Sequence, residues 1–199
     1  MESFQETIHE YRKQLQKGIV QKAYKGLMEY LMALRTHFKD KYPDHFVSGS
    51  IYYGYMDMTY FSCFPESLKQ RQLKIAIVFL HEPFRFEVWL AGNNKQVQAK
   101  YWTLIKESGW KEYRLVPTTK SVDSIIEHVL VDDPDFSDCD TLTSQIEKAA
   151  VLFNKDIENF ISKNYQAAQH QLSRMVPRQA ADTQAVGGAA PVRTAGYER

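Results

Sequence analysis

A row of alternating side chains at residues 85–89 is the clearest candidate for ligand chemistry in this sequence. Arg85, Glu87 and Trp89 alternate with apolar residues, so in a strand they share one face, with about 7 Å between successive side chains. The chain then turns at Gly92 into a predicted helix, whose free N–H groups attract anions. An arginine oriented by a carboxylate can hold a carboxylate or a phosphate. The predicted site for a small anionic ligand comprises Arg85, Glu87, Trp89, Asn93, Asn94 and Lys95.

The same row also has a purely structural explanation. Arg85 and Glu87 can form a same-face ion pair that contributes little free energy. Trp89 can pack under another element, and Asn94 can simply cap the helix. No other part of the sequence points independently to a ligand, so the sequence favours the structural explanation for this row.

Two acidic residues and a lysine suggest a second chemistry. The predicted order of helix, three strands, helix and strand is that of the PD-(D/E)xK nuclease core, in which acidic residues hold a metal ion and a lysine stabilises charge. Asp57 lies on the first predicted strand, Lys74 opens the second, and Glu29 lies on the helix before them. No acidic residue stands two positions before Lys74, and no basic surplus is available to hold a phosphate backbone. A degenerate metal-dependent nuclease or phosphodiesterase is therefore the alternative function, and nucleic acid is not expected as a partner.

Other motifs for metal, nucleotide or nucleophilic chemistry are incomplete. The segment DDPDFSDCD, residues 132–140, begins like a calcium loop, but Asp138 fills its glycine position and Ser144 its closing glutamate position. A helix cap at Asp140 or Thr141 explains these charges. The sequence has no G-x-S-x-G elbow, P-loop, G-x-G-x-x-G or closely spaced histidine pair. We therefore predict no metal and no cofactor.

Tyrosines at residues 52, 53, 55 and 60 could form a stacking platform for rings. No arginine or lysine is interleaved with them, and aromatic residues are common in any half-buried strand. A place in the core and on the sheet surface is the favoured interpretation.

Hydrophobic periodicity predicts the elements that would position these residues. A stripe of Phe4, Ile8, Tyr11 and Leu15 and a second one over residues 20–38 indicate two helices, or one long helix weakened at Gly18. Three strands of an antiparallel meander are predicted at residues 50–64, 73–80 and 84–90. In the third strand, the side chains expected to face the core are Phe84, Phe86, Val88 and Leu90. A helix follows from residue 93 or 94 to about 107, with Gly109 after it.

The remaining elements are predicted from the same signals. Residues 112–116 read as a fourth strand, and residues 122–131 as a short amphipathic helix or a strand. The most regular helical pattern runs from about residue 141 to residue 163. The predicted fold class is therefore α+β, with an antiparallel sheet of three to four strands flanked by N-terminal helices, a central helix and a long C-terminal helix.

Composition and charge limit the functional class. The 199 residues carry 25 basic and 24 acidic side chains and are 44% hydrophobic, which predicts one domain over residues 1–165 without a field that attracts nucleic acid. Residues 166–199, rich in Gln, Ala, Gly and Arg, are predicted to be a disordered tail. No signal peptide, membrane span or disulfide pattern is evident, so we expect a soluble cytoplasmic protein that does not enter a membrane.

Two stretches carry a resemblance. AYKGLMEYL and KIAIVFLHEPFRFEVWLAGNNKQVQAKYW resemble an uncharacterised family of small bacterial cytosolic proteins, a domain of unknown function, over roughly residues 1–163. The resemblance implies no reaction, cofactor or partner. The leading hypothesis is a non-enzymatic binding or interaction module, and a homodimer through a sheet face or edge is a further possibility.

Overall fold

Two helices separated by Gly18 open the chain in the computed structural model, which describes residues 3–175, with side chains described to residue 164. Helix α1, Phe4–Gln16, begins with a capping box in which Ser3 and Glu6 bond each other's backbone N–H. Helix α2, Ile19–Lys41, follows Gly18, whose φ of 71° lies in the left-handed region that glycine adopts without strain. Of the two predicted arrangements, the chain thus adopts the one with two helices.

The predicted apolar stripe is buried in α2 but exposed in α1. Helix α2 buries Met28, Leu31, Leu34 and Phe38 against the sheet. Helix α1 has no buried residue, and Phe4 is 81% exposed. The prediction that the N-terminal helices flank the sheet therefore holds for α2 and is wrong for α1, which contacts α2 but contributes no residue to either core cluster.

The sheet has six antiparallel strands, more than the three to four predicted. Its spatial order is β1-β3-β4-β5-β6, with β2 also paired to β3. The strands are β1 His45–Val47, β2 Tyr52–Tyr53, β3 Met58–Pro65, β4 Leu73–Leu80, β5 Arg85–Gly92 and β6 Ser124–Asp132, and a single-turn helix α3, Glu66–Lys69, joins β3 to β4. The meander β3-β4-β5 is the predicted one. The additional strands are the short β1, which precedes the tyrosine-rich region, the short β2, which lies within it, and β6.

Strand β6 resolves the region that the sequence left open between helix and strand. It pairs with β5 along its length, with register shifts at two points, and so occupies the backbone groups of an edge that would otherwise be unpaired. Its β-branched residues suit a pleated surface better than a helix. The predicted fourth strand at residues 112–116 is wrong: only Leu115 forms an isolated bridge, to Ile126.

Helices α4 and α5 complete the described part of the chain. Helix α4, Lys95–Ser108, is capped by Asn94 and followed by Gly109 with a φ of 69°, as predicted. Helix α5, Cys139–Met175, is capped by Asp138, whose Oδ1 accepts from the N–H of Thr141 at 3.0 Å. The cap is therefore Asp138, not Asp140 or Thr141, because only its side chain precedes the first turn.

The chain divides into two compact units. Met1–Ile161 form the first, and the chain from Ser162 on belongs to a second, in which α5 continues to Met175. The helix therefore extends past its predicted end near residue 163 and into residues predicted to be a tail. The rest of that predicted tail, residues 176–199, lies outside the described residues.

One face of the sheet carries the core. Phe86, Val88 and Leu90 of β5 are fully buried against residues of α2, α4 and α5. Phe84 was expected in the same row, but it stands before the strand with a φ of 52° and is 46% exposed. Glu87 and Trp89 alternate with these core residues along β5. Together with Ala76 and Val78 of β4, they face the opposite side of the sheet and belong to neither core cluster. The sheet is therefore packed on one face, and the candidate site lies on the other.

Candidate functional site

A concave cleft of about 450 Å³ lies on the face of the sheet opposite the helices. Small side chains of adjacent strands form its floor, among them Ala76 of β4 and Ala91 of β5. Aromatic side chains border the floor, and the turn from β5 into α4 closes one end. The cleft is therefore formed where short residues stand between long ones on neighbouring strands.

Two tyrosines and a tryptophan provide the aromatic part of the cleft. Tyr52 and Tyr60 are paired across β2 and β3, and their rings stack with centroids 4.8 Å apart and an interplanar angle of 25°. Trp89 also lines the cleft. Burial, reinforced by the nearby Tyr52 hydroxyl and Asp123, raises the pKa of Tyr60. Its hydroxyl is therefore protonated at neutral pH and available as a donor.

The predicted row Arg85, Glu87 and Trp89 does share one face and forms a closed hydrogen-bonded group. The Arg85 guanidinium contacts Glu87 Oε1 through Nε at 2.7 Å and through Nη2 at 2.5 Å. Trp89 Nε1 donates to Glu87 Oε2 at 2.6 Å, and Glu87 is only 3% exposed. A buried carboxylate needs such donors. Trp89 presents its ring to the cleft, but Arg85 and Glu87 do not line it.

The turn from β5 into α4 forms one end of the cleft. Gly92 is required there, because a Cβ would stand 2.5 Å from the backbone N of Gln98. Asn94 Oδ1 accepts from the N–H of Val97 at 2.9 Å and so caps the helix. Asn93, Asn94 and Lys95, three residues of the predicted anionic-ligand site, line the cleft. The ammonium of Lys95 is already bound, at 2.6 Å to the Val122 carbonyl and 3.0 Å to Asp123.

Lys74 supplies a positive charge in the cleft, which is also lined by the carboxylate of Asp123. It lies near the start of β4, opposite Ala91 of β5, and its side chain lines the cleft. Among the described residues, no acidic side chain forms an ion pair with Lys74, whereas Lys95 is paired with Asp123. The cleft thus combines aromatic rings with two lysines and one aspartate, and because Asp123 pairs with Lys95, the charged lining has one positive charge in excess.

The three residues of the nuclease hypothesis do not converge. The N–H of His81 bonds the carbonyl of Asp57, so Asp57 lies at the far end of β4 from Lys74. At about 3.4 Å per residue, this places them roughly 24 Å apart along the strand. Glu29 lies on α2, which packs on the other face of the sheet, and it pairs with Lys25 at 3.7 Å. No group of acidic, histidine or cysteine residues suited to a metal ion occurs in the described part of the chain.

Sequence reasoning did not assign Lys74 or Gln98 to the anionic site. Gln98 is 2% exposed and its side-chain amide donates to the carbonyls of Val122 and Ser124. The partner of Lys74 across the strands depends on the register of β4 against β5, which no local pattern determines. The available signal was that Lys74 and the small Ala76 alternate with large apolar residues of β4. The nearly continuous hydrophobicity of β4 concealed this alternation.

None of the helices in the described residues combines the length and apolar character needed to cross a bilayer. No curated protein and no solved structure matches this chain. A family model described as "Domain of unknown function (DUF7000)" matches residues 4–161, which agrees with the resemblance to an uncharacterised family over roughly residues 1–163. The chain therefore belongs to the DUF7000 family, a domain of unknown function.

Proposed function

We propose that this domain is a non-enzymatic binding module for a small molecule that has a flat ring and one anionic group. The observation that carries the proposal is the cleft on the sheet face opposite the helices, lined by Lys74, Trp89 and Tyr60. Lys74 forms no ion pair with any other described residue. Concave sites with apolar walls and few polar groups are the usual form of small-molecule sites.

The aromatic border fits a flat ring. Stacking of a ring on an aromatic side chain contributes about 1–3 kcal/mol. The volume of about 450 Å³ is within the range of roughly 300–1,000 Å³ for small-ligand pockets. The small floor residues Ala76 and Ala91 leave room for the ring to approach the strands.

Lys74 and the helix start fit the anionic group. A hydrogen bond to a charged group contributes about 1.5–3 kcal/mol, and Lys74 is free to form one. The backbone N–H groups at the start of α4 and the Asn94 side chain lie at the same end of the cleft. Arg85 is not part of the proposed contact, because it pairs with Glu87 and does not line the cleft.

Titration calorimetry on the full chain tests this proposal. The probes are adenosine monophosphate and naphthoate, each compared with an uncharged analogue of the same ring system, adenosine and naphthalenemethanol. We expect the anionic probes to bind more tightly than the neutral ones. Lys74→Met should weaken binding of the anionic probe about 10- to 100-fold, the change that corresponds to one charge-assisted hydrogen bond.

Two further variants make the test specific to the cleft. Lys111→Met removes an exposed positive charge outside the cleft, so it should leave binding unchanged. Trp89→Leu removes the stacking surface and the hydrogen bond to Glu87 but no charge, so it should weaken charged and neutral probes alike. Failure of both anionic probes to bind at millimolar concentration, or equal binding by wild type and Lys74→Met, would contradict the proposal.

Phosphodiester cleavage receives no comparable support. A two-carboxylate metal site needs its acidic groups within a few ångströms of one ion. Asp57 and Lys74 lie at opposite ends of β4, and Glu29 lies on α2 behind the sheet.

A further inference from the structure

Helix α1 presents an amphipathic surface that the other described residues of the chain leave exposed. Phe4 is 81%, Ile8 43% and Tyr11 59% exposed, and these residues recur at helical spacing on one side of the helix. The helix itself is well defined, because its capping box closes the first turn. A short helix that exposes its apolar stripe gains stability mainly by packing that stripe against a second surface.

An apolar groove of about 950 Å³ lies on the same domain, beside the first half of α2. One wall is the surface of α2 from Ile19 to Tyr30. The other wall contains Phe84 and Phe136, which follow β4 and precede α5. Ile19 is 70% exposed and Phe84 46% exposed. The groove thus keeps apolar side chains in contact with solvent.

The length of the groove matches the length of the α1 stripe. From Ile19 to Tyr30 the α2 wall rises about 16 Å at about 1.5 Å per residue. The stripe from Phe4 to Leu15 spans the same number of residues and therefore the same length. Recognition of an amphipathic helix in an apolar groove depends on such a series of anchors along one face.

Gly26 makes the groove accessible to a helix backbone. It lies inside α2 and lines the groove, and a Cβ built on it would meet nothing within 4 Å. Glycine inside a helix costs about 1 kcal/mol relative to alanine. The exposed Ala23 lies one turn earlier on the same wall, so α2 carries two small residues where another helix can approach closely.

We propose that this domain forms a reciprocal dimer in which α1 of each copy lies in the α2 groove of the other. Half of the lateral surface of a helix about 20 Å long and about 10 Å wide is roughly 300 Å². With an equal area from the groove, two reciprocal sites bury roughly 1,200 Å², the lower end of the range for stable interfaces. A single site buries half of that, which falls below the range, so the reciprocal arrangement is the one that gives a stable complex. The partner is therefore a second copy of this chain.

Light scattering coupled to size exclusion on the full chain tests the dimer. We expect twice the 23.2 kDa of one chain at micromolar concentration. Ile8→Glu, which places a charge in the stripe, and Gly26→Arg, which fills the groove, should each give a monomer. The matched controls His9→Glu on the polar side of α1 and Ala33→Arg on an exposed part of α2 should remain dimers.

A disulfide experiment identifies which copy supplies the helix. Cys139 is exposed and lines the groove, whereas Cys63 is buried. Phe4→Cys, Ile8→Cys and Tyr11→Cys are each oxidised with diamide, and His9→Cys serves as the control. At least one stripe variant should give a covalent dimer on a non-reducing gel.

Several results would overturn the proposal. A monomeric wild type does so, and so does a dimer that persists in both Ile8→Glu and Gly26→Arg, which assigns the contact to another surface. A disulfide formed only within one chain shows that α1 folds into its own groove. Circular dichroism of each variant separates loss of the contact from loss of the fold.

Discussion

Glu147 should make the domain sensitive to acid through one buried group of contacts. It lies on α5 and is only 12% exposed. Its carboxylate accepts from Tyr42 at 2.5 Å and from Lys41 at 2.7 Å, and it lies 2.7 Å from His37 Nε2. His37 and Lys41 lie in the last turns of α2 and Tyr42 caps its end, so Glu147 joins α5 to α2.

The magnitude follows from the pKa of Glu147. Burial alone would raise this pKa, but hydrogen bonds from Lys41, Tyr42 and His37 outweigh burial and lower it from 4.5 to about 2. Because the folded pKa lies below the unfolded one, the ionised carboxylate stabilises the fold above pH 4.5, and this contribution disappears as the pH falls toward 2. The contribution is about 3 kcal/mol at pH 7 and about 1 kcal/mol at pH 3.

Urea unfolding of wild type and Glu147→Gln, followed by circular dichroism between pH 7 and pH 3, measures this contribution. The glutamine variant should lose about 3 kcal/mol at pH 7, and the difference from wild type should fall to about 1 kcal/mol at pH 3. Taking the difference at each pH cancels the other titrating groups. Glu29→Gln is the control, since Glu29 forms an exposed pair with Lys25 that contributes little. A difference that is small at pH 7, or that does not change with pH, would refute the reasoning.

Three further predictions follow from single contacts. Asn94→Ala removes the cap of α4 and should lower the free energy of unfolding by about 1 kcal/mol, measured by thermal unfolding, while Asn94→Asp should preserve it. Gly92→Ala should lower the free energy of unfolding, because its Cβ would stand 2.5 Å from the backbone N of Gln98. The same substitution should weaken the binding of any ligand in the cleft, which Gly92 lines. Burial raises the pKa of Cys63 to about 12. A thiol reagent at pH 8 should therefore leave Cys63 unmodified in the native chain and modify both cysteines after denaturation.

Local signals were sufficient where a single residue determines the backbone. Asn94 begins α4 because its side chain replaces a missing backbone partner, and Gly109 ends it because it adopts a positive φ. The meander of β3, β4 and β5 also follows from local patterns, since short connections allow only neighbouring antiparallel strands. These features need no knowledge of distant contacts.

Distant contacts decided the features that the sequence did not predict correctly. The α1 stripe is as regular as that of α2, but among the described residues Leu31 is buried against the sheet and Ile8 remains exposed. Residues 122–131 have a helical as well as an alternating pattern, and pairing with β5 selects the strand. A periodic pattern identifies an apolar face but does not identify what covers it.

The candidate site shows the same distinction at the level of side chains. Alternation correctly predicted that Arg85, Glu87 and Trp89 share a face, but it did not show that Glu87 satisfies both neighbours. Strand register determines that Lys74 stands opposite Ala91 and next to the turn into α4. Lys74, which the sequence suggested only for the nuclease hypothesis, therefore lies in the cleft with the predicted anionic-ligand residues.

The shape of the uncovered sheet face explains why a cleft exists there at all. Val78 is fully buried and Glu87 is 3% exposed, although neither belongs to the core that the helices form. Arg85 and Trp89 bond Glu87 from either side, so long side chains take the place of a covering helix at this part of the face. One step along the strands, alanines replace long residues at positions 76 and 91, and nothing of comparable length fills the space. The same strands thus shield one part of the face and leave a cleft in the next, beside Lys74.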